Sequence, residues 1–168
     1  MNRIITHQPT IPSRKLDSYE KGRLFEEYVI SLFNKDSFWL LDWQMSKKRD
    51  EYTHLDLNYP DLYLLFAGRK HYRFAVECKF VSVVNHDEQF EWASDGEIKS
   101  YRRYQAKFNI PVFIVIGIGG EPSSPEKLFV TPLYEICNNT SVVESDLMPY
   151  KRKPTQRFFY DTIQLKLF

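Results

Sequence analysis

Apolar positions along this chain keep two different periods, and the alternation between them lays out the elements. From Ser18 to Asn34 the apolar residues Phe25, Val29, Leu32 and Phe33 recur at helical spacing, which predicts a helix with Ser18 as its N-cap. Phe38 to Trp43, Leu62 to Ala67 and Tyr72 to Phe80 are short apolar runs rich in aromatic residues, which predict strands. Gly68-Arg69-Lys70-His71 breaks the last two runs and makes a hairpin the simplest connection. Glu97 to Phe108 returns to helical spacing, with Ile98, Tyr101, Gln105 and Phe108 on one side. Val112 to Ile118 is a buried-strand run, and Gly117 to Gly120 after it reads as a turn. Further strands are expected from about Lys127, a short helix from Leu133 to Cys137, and one or two strands within Arg157 to Leu167.

Charged residues interrupt this pattern at one place. Pro60-Asp61 opens the predicted hairpin and Glu77-Cys78-Lys79 closes it. Folding about the polar break sets Asp61 beside Glu77, since both lie a similar distance from the turn. Side chains alternate along a strand, so Glu77 and Lys79 share a face with Ala75, while Phe74, Val76, Cys78 and Phe80 share the other. Two hard oxygen donors so placed suit Mg²⁺, which takes one or two carboxylates and keeps several waters. The lysine beside them can meet a phosphate oxygen as a point charge or help deprotonate an attacking water. Such parts fit metal-assisted phosphodiester hydrolysis. A hairpin carrying ordinary solvated charges is the bland alternative.

A third carboxylate comes from the first helix. Glu26 lies on the edge of the apolar stripe, three residues before Val29, whereas Glu27 falls on the polar side with Glu20 and Ser31. Glu26 is read either as a salt-bridge partner of Lys79 or as a direct or water-mediated metal group, and the two are compatible. Gly22, one turn earlier, is read as the point where this helix approaches a sheet or a phosphate closely.

Glu26 on a first helix, Pro60-Asp61 and Glu77-Cys78-Lys79, in that order, resemble the PD-(D/E)XK nuclease superfamily. The resemblance covers about the first three quarters of the chain and rests on motif order. It implies an α/β fold with a restriction-endonuclease-like core, α-β-β-β-α-β, in which a central mixed sheet is flanked by helices. It further implies Mg²⁺-dependent cleavage of DNA, with Mn²⁺ as a substitute ion. Asp61 and Glu77 would be metal ligands, with Glu26 tuning the metal or adding a ligand. Lys79 would orient or activate water. Relatives carry a polar or basic residue on the second helix that reaches the site, and Gln105 is the candidate by position, with Lys99 or Tyr101 as substitutes. Lys99, Arg103 and Lys107, spaced by fours, together with Arg102, are the candidate DNA-binding residues, against the alternative of a solvated helix face. Cutting both strands would need a homodimer or two successive events. The alternative function is a catalytically weak DNA-binding or partner-dependent subunit of a larger DNA-processing or defence complex.

Composition narrows this picture without creating it. The chain has 168 residues, 43% apolar, enough for one α/β domain with a core. Residues 1–17 are expected to form an extended arm and residues 18–168 a single nuclease-like domain. A net charge of +1 excludes a protein that coats nucleic acid by charge alone, so basic residues act as local clusters such as Lys47-Lys48-Arg49 and Lys151-Arg152-Lys153. Two cysteines and four scattered histidines provide no zinc spacing and no local triad. His54 and the loop acids Asp87 and Glu88 are read as solvated. Without an N-terminal apolar segment or long apolar run, a cytoplasmic protein with no membrane partner is expected.

Overall fold

The computed structural model describes residues 16–43, 59–84 and 88–168. Residues 1–15 of the arm expected over residues 1–17, the basic run Lys47 to Arg49, His54 and Asp87 lie outside these residues.

Helix α1 spans Ser18–Leu32, but its N-cap is Asp17 rather than Ser18. The reason is reciprocal bonding. The Asp17 carboxylate accepts from the Glu20 N–H at 2.7 Å, and Glu20 accepts from the Asp17 N–H at 3.1 Å. The chain turns extended at Phe33, which stays buried.

Strands β1 (Phe38–Trp43), β2 (Leu62–Ala67) and β3 (His71–Val81) form an antiparallel meander in which the predicted hairpin joins β2 to β3. The loop beyond β3 contains a short strand β4 (Gln89–Glu91), followed by α2 (Asp95–Phe108), β5 (Val112–Glu121) and β6 (Ser124–Pro132). Short elements finish the chain: α3 (Leu133–Ile136), β7 (Ser141–Val143), α4 (Glu144–Leu147), β8 (Lys151–Arg152), β9 (Tyr160–Asp161) and β10 (Lys166–Leu167). The central sheet has six strands in the order β1-β2-β3-β5-β6-β8. Only β3 and β5 run parallel within it, with α2 in their connection, so the sheet is mixed. The expected order α-β-β-β-α-β is thus α1-β1-β2-β3-α2-β5, and helices flank the sheet.

Two apolar layers enclose the sheet. Phe25, Val29 and Leu32 of α1 pack with Phe74, Val76, Cys78, Phe113 and Val115 on one side. Ile98, Tyr101 and Tyr104 of α2 pack with Ala75, Ile114, Ile116 and Ile118 on the other. The alternation expected along β3 is therefore realised.

The glycines fall out differently. Gly117 to Gly120 are not a turn but part of β5, with Gly117 opposite Leu128 and Gly120 opposite Pro125. Gly117 is where α1 meets the sheet, since a Cβ there would run into the Phe25 ring. Gly22 has open space around its Cβ position and makes no close approach. The same substitution should therefore act with opposite signs at the two sites. Gly22→Ala should stabilise the protein by about 0.5–1 kcal/mol by helix propensity. Gly117→Ala should destabilise it by about 1–3 kcal/mol by overpacking, and urea unfolding of both variants checks the pair.

Candidate active site

The β2–β3 register pairs Leu62 with Val76, and one further step sets Asp61 opposite Glu77. A backbone bond fixes that end of the hairpin: the Cys78 N–H donates to Asp61 Oδ2 at 2.8 Å. Glu77 is almost completely buried and lies on the α2 side of the sheet, in line with Ala75. Lys79 follows on the same face. Its ammonium stands 3.2 Å from Glu77 Oε1 and 3.2 Å from Glu97 Oε1. One of the two readings of Glu26 made it a salt-bridge partner of Lys79. The structure gives Lys79 the carboxylates of Glu77 and Glu97, and Glu26 Oε2 accepts from the Trp43 indole N–H at 2.7 Å.

Glu97 is the residue the sequence reading missed. Its other oxygen, Oε2, accepts from the Ser94 N–H and from Ser94 Oγ, each at 2.9 Å, while Ser94 Oγ accepts from the Glu97 N–H at 3.3 Å. That is the capping box of α2, so the helix begins at Asp95. The Ser94-x-x-Glu97 spacing was the available signal, because it puts a helix N-terminus just past the loop beyond Lys79.

Charge balance in the site is one-sided. Burial, then the charges of Glu77 and Glu26, push the Asp61 carboxyl well above the usual carboxylate range. The Cys78 N–H and Lys79 only partly oppose this. Burial works against the Lys79 ammonium, but Glu77 and Glu97 outweigh it and raise the pKa. Lys79 is thus held protonated at neutral pH. The Cys78 thiol, buried beside these carboxylates, is also pushed up and stays a thiol.

Glu77 carries a second anomaly. Its Oε2 is buried and makes no well-formed hydrogen bond, and neither does the Tyr101 hydroxyl, which faces the same carboxylate. Burial, the neighbouring Glu77 charge and hydrogen bonding toward that carboxylate raise the Tyr101 phenol, which remains protonated. The other buried acid among the described residues behaves conventionally, for both oxygens of Glu144 accept from Lys127, at 2.6 and 2.7 Å. A buried carboxylate oxygen with only a loose contact is costly unless something else binds it.

Not every candidate joins this cluster. Gln105 is drawn to the start of β5, where its Oε1 accepts from the Val112 N–H at 3.1 Å. Tyr104 takes the inward position expected for Gln105, and Phe108 is exposed, because the buried stripe steps by three from Tyr101. Arg102 is spent on structure: its guanidinium donates to the Cys137 carbonyl at 2.9 Å and to Asn138 Oδ1 at 3.0 Å. Lys99, Arg103 and Lys107 remain exposed, with the Lys107 ammonium over the Phe108 ring.

No family model matches the chain, and no curated protein matches it either. Among solved structures it resembles Hjc, a Holliday junction resolvase from the archaeal hyperthermophile Archaeoglobus fulgidus. The TM-score is 0.49 and the identity 14%, over 79% of this chain and 94% of that one. The chemistry of this chain is therefore read from its own side chains.

Among the described residues, no three His, Cys, Asp or Glu side chains stand together as a metal cage. The poorly satisfied oxygen of Glu77 and the repulsion felt by Asp61 fit a hard divalent cation that takes two carboxylates and fills its remaining positions with water. The raised Asp61 pKa has a sign that can be tested. The folded protein holds this proton more tightly than the unfolded chain, so stability falls as pH rises from 3.8 through the folded-state value. Asp61→Asn should therefore raise the melting temperature of the metal-free protein at neutral pH, at about 2–4 °C per kcal/mol relieved. The gain should vanish as pH drops below 3.8. Added Mg²⁺ should stabilise the wild type and not the variant, as differential scanning fluorimetry would read.

Proposed function

We propose that this chain is a PD-(D/E)XK-type endonuclease that hydrolyses DNA phosphodiester bonds with Mg²⁺, for which Mn²⁺ can substitute. The observation that carries the reading is Glu77: a carboxylate buried on a strand, one oxygen on Lys79 and the other in no well-formed hydrogen bond, opposite an Asp61 that resists ionisation. Buried charge in that condition costs stability and is retained for function.

In this reading Asp61 and Glu77 hold the ion, which when bound supplies Lewis-acid polarisation of the phosphate and a more acidic water. The chain's own residues do the rest. The carboxylate of Asp61 is oriented by the Cys78 N–H. Lys79 enters the reaction protonated, so it acts as an electrostatic clamp on the negative charge gathering at the phosphoryl oxygens, and not as the base. Glu26, tethered by Trp43, adds negative potential at Asp61 that strengthens its pull on a cation. The DNA backbone would run past the exposed Lys99 and Arg103, one helical turn apart on α2. One such site cuts one strand, so a double-strand break takes a homodimer or two events.

Nicking of supercoiled plasmid in Mg²⁺ tests the assignment. Wild type should nick. Asp61→Ala, Glu77→Ala and Lys79→Ala should each lose about two to three orders of magnitude, in keeping with removal of a metal ligand or an electrostatic stabiliser. A wild type without metal-dependent cleavage, or variants as active as it, would sink the proposal. DNA binding separates the basic residues in a second experiment. Lys99→Ala with Arg103→Ala should weaken affinity and lower the salt slope by about two, while Arg102→Ala should lower the melting temperature and leave the slope unchanged.

A further inference from the structure

We propose that Glu97 is a positioning residue that keeps the Lys79 ammonium in the site once Glu77 is engaged by a cation. The inference rests on the nuclease reading above. Lys79 has a flexible four-carbon stem, and its head group is held by two carboxylate oxygens, each at 3.2 Å. The two bonds are not equivalent. Glu77 is one of the groups that would hold the ion, and a carboxylate committed to a cation attracts an ammonium less, while the cation itself repels it. The Glu77 bond would therefore weaken with an ion in place.

The Glu97 bond does not depend on the ion in this way. Its carboxylate is anchored through the second oxygen to the Ser94 N–H and Oγ at the first turn of α2. Burial alone would raise the Glu97 pKa, but the Ser94 bonds and Lys79 hold it below the ordinary value, so it remains an anion. Both side chains are about three-quarters covered, Lys79 at 25% and Glu97 at 22% exposure, so the pair is less screened than a surface bridge. Glu97 is thus a rigid post joining the α2 N-terminus to the clamp. Its link to the site is the Lys79 ammonium, through which it acts.

A structural role as a helix cap is the competing explanation, and two variants separate the two. Glu97→Gln keeps a residue that serves at this capping-box position but removes the charge that holds Lys79. Ser94→Ala weakens the cap and leaves the Glu97 charge in place. In plasmid nicking with Mg²⁺, Glu97→Gln should lower kcat about tenfold with KM within about twofold, as expected for an interaction realised in the transition state. Ser94→Ala should lower the melting temperature and reduce kcat by clearly less than Glu97→Gln does, because the Ser94 N–H still holds the Glu97 carboxylate. A second readout needs no activity. In the metal-free protein, urea unfolding of Lys79→Met, Glu97→Gln and the double variant should give a non-additive cycle. Equal rates for Glu97→Gln and wild type, an equal kcat loss in Ser94→Ala, or an additive cycle would each overturn the inference. A wild type that cuts nothing would remove the nuclease reading and this one together. A wild type that cuts as fast as Glu97→Gln removes this one only.

Discussion

The register between β2 and β3 is the constraint on which the site depends. Pairing Leu62 with Val76 brings Asp61 level with Glu77 and lets Asp61 receive the Cys78 N–H. A slip of one residue would turn Glu77 and Lys79 into the layer of Phe25, Phe74 and Phe113. Burying an anion and a cation among those rings without partners would be prohibitive. The apolar alternation of β3 therefore does two things with one pattern. It seals the α1 face with Phe74, Val76 and Cys78, and it forces the two charged side chains to the opposite face.

What that face receives is an unbalanced set of charges. Glu77 and Glu26 both act on Asp61, and the one ammonium nearby is shared between Glu77 and Glu97. A purely structural network would pair each oxygen, as Lys127 does for Glu144. The site leaves Glu77 Oε2 and the Tyr101 hydroxyl buried in no well-formed hydrogen bond, and it keeps Asp61 difficult to ionise. A cation placed between these carboxylates would relieve their repulsion.

Much of this was legible in the sequence because it follows from periodicity. The strands β1 and β2 fall where the apolar runs place them, and hairpin symmetry about Gly68–His71 sets Asp61 against Glu77. Helical phase also separated Glu26 from Glu27. The rest was hidden because it rests on partners brought in by tertiary structure. Arg102 looks identical in sequence to Arg103, yet α3 ends beneath it and supplies the Cys137 carbonyl. Gln105 shares the α2 stripe with Tyr101 by number, yet the Val112 N–H at the strand start captures it. Glu97 looks like one more surface acid until the loop after β3 delivers its capping box to Lys79. Gly117 looks like a turn because nothing local announces the Phe25 ring that occupies its missing Cβ.

A sheet that tolerates repulsion at one place needs surplus stabilisation at another, and the chain's last strands supply part of it. Phe158, Tyr160 and Leu167 close the α1-side layer and are nearly fully buried. Tyr160 stacks on Phe74 with centroids 5.0 Å apart and planes 4° from parallel, and Phe158 meets Phe33 edge-on at 4.7 Å. Phe74 lies three residues before Glu77 on β3, and Phe33 follows the helix that carries Glu26. The same strand and helix that carry these site residues are thus gripped from behind by aromatic contacts. Those contacts fix the backbone from which Glu77 projects and leave the opposite face free to hold charge. The C-terminal strands β9 and β10 lie outside the α-β-β-β-α-β core, but the electrostatics of the site make the packing they complete a condition for it.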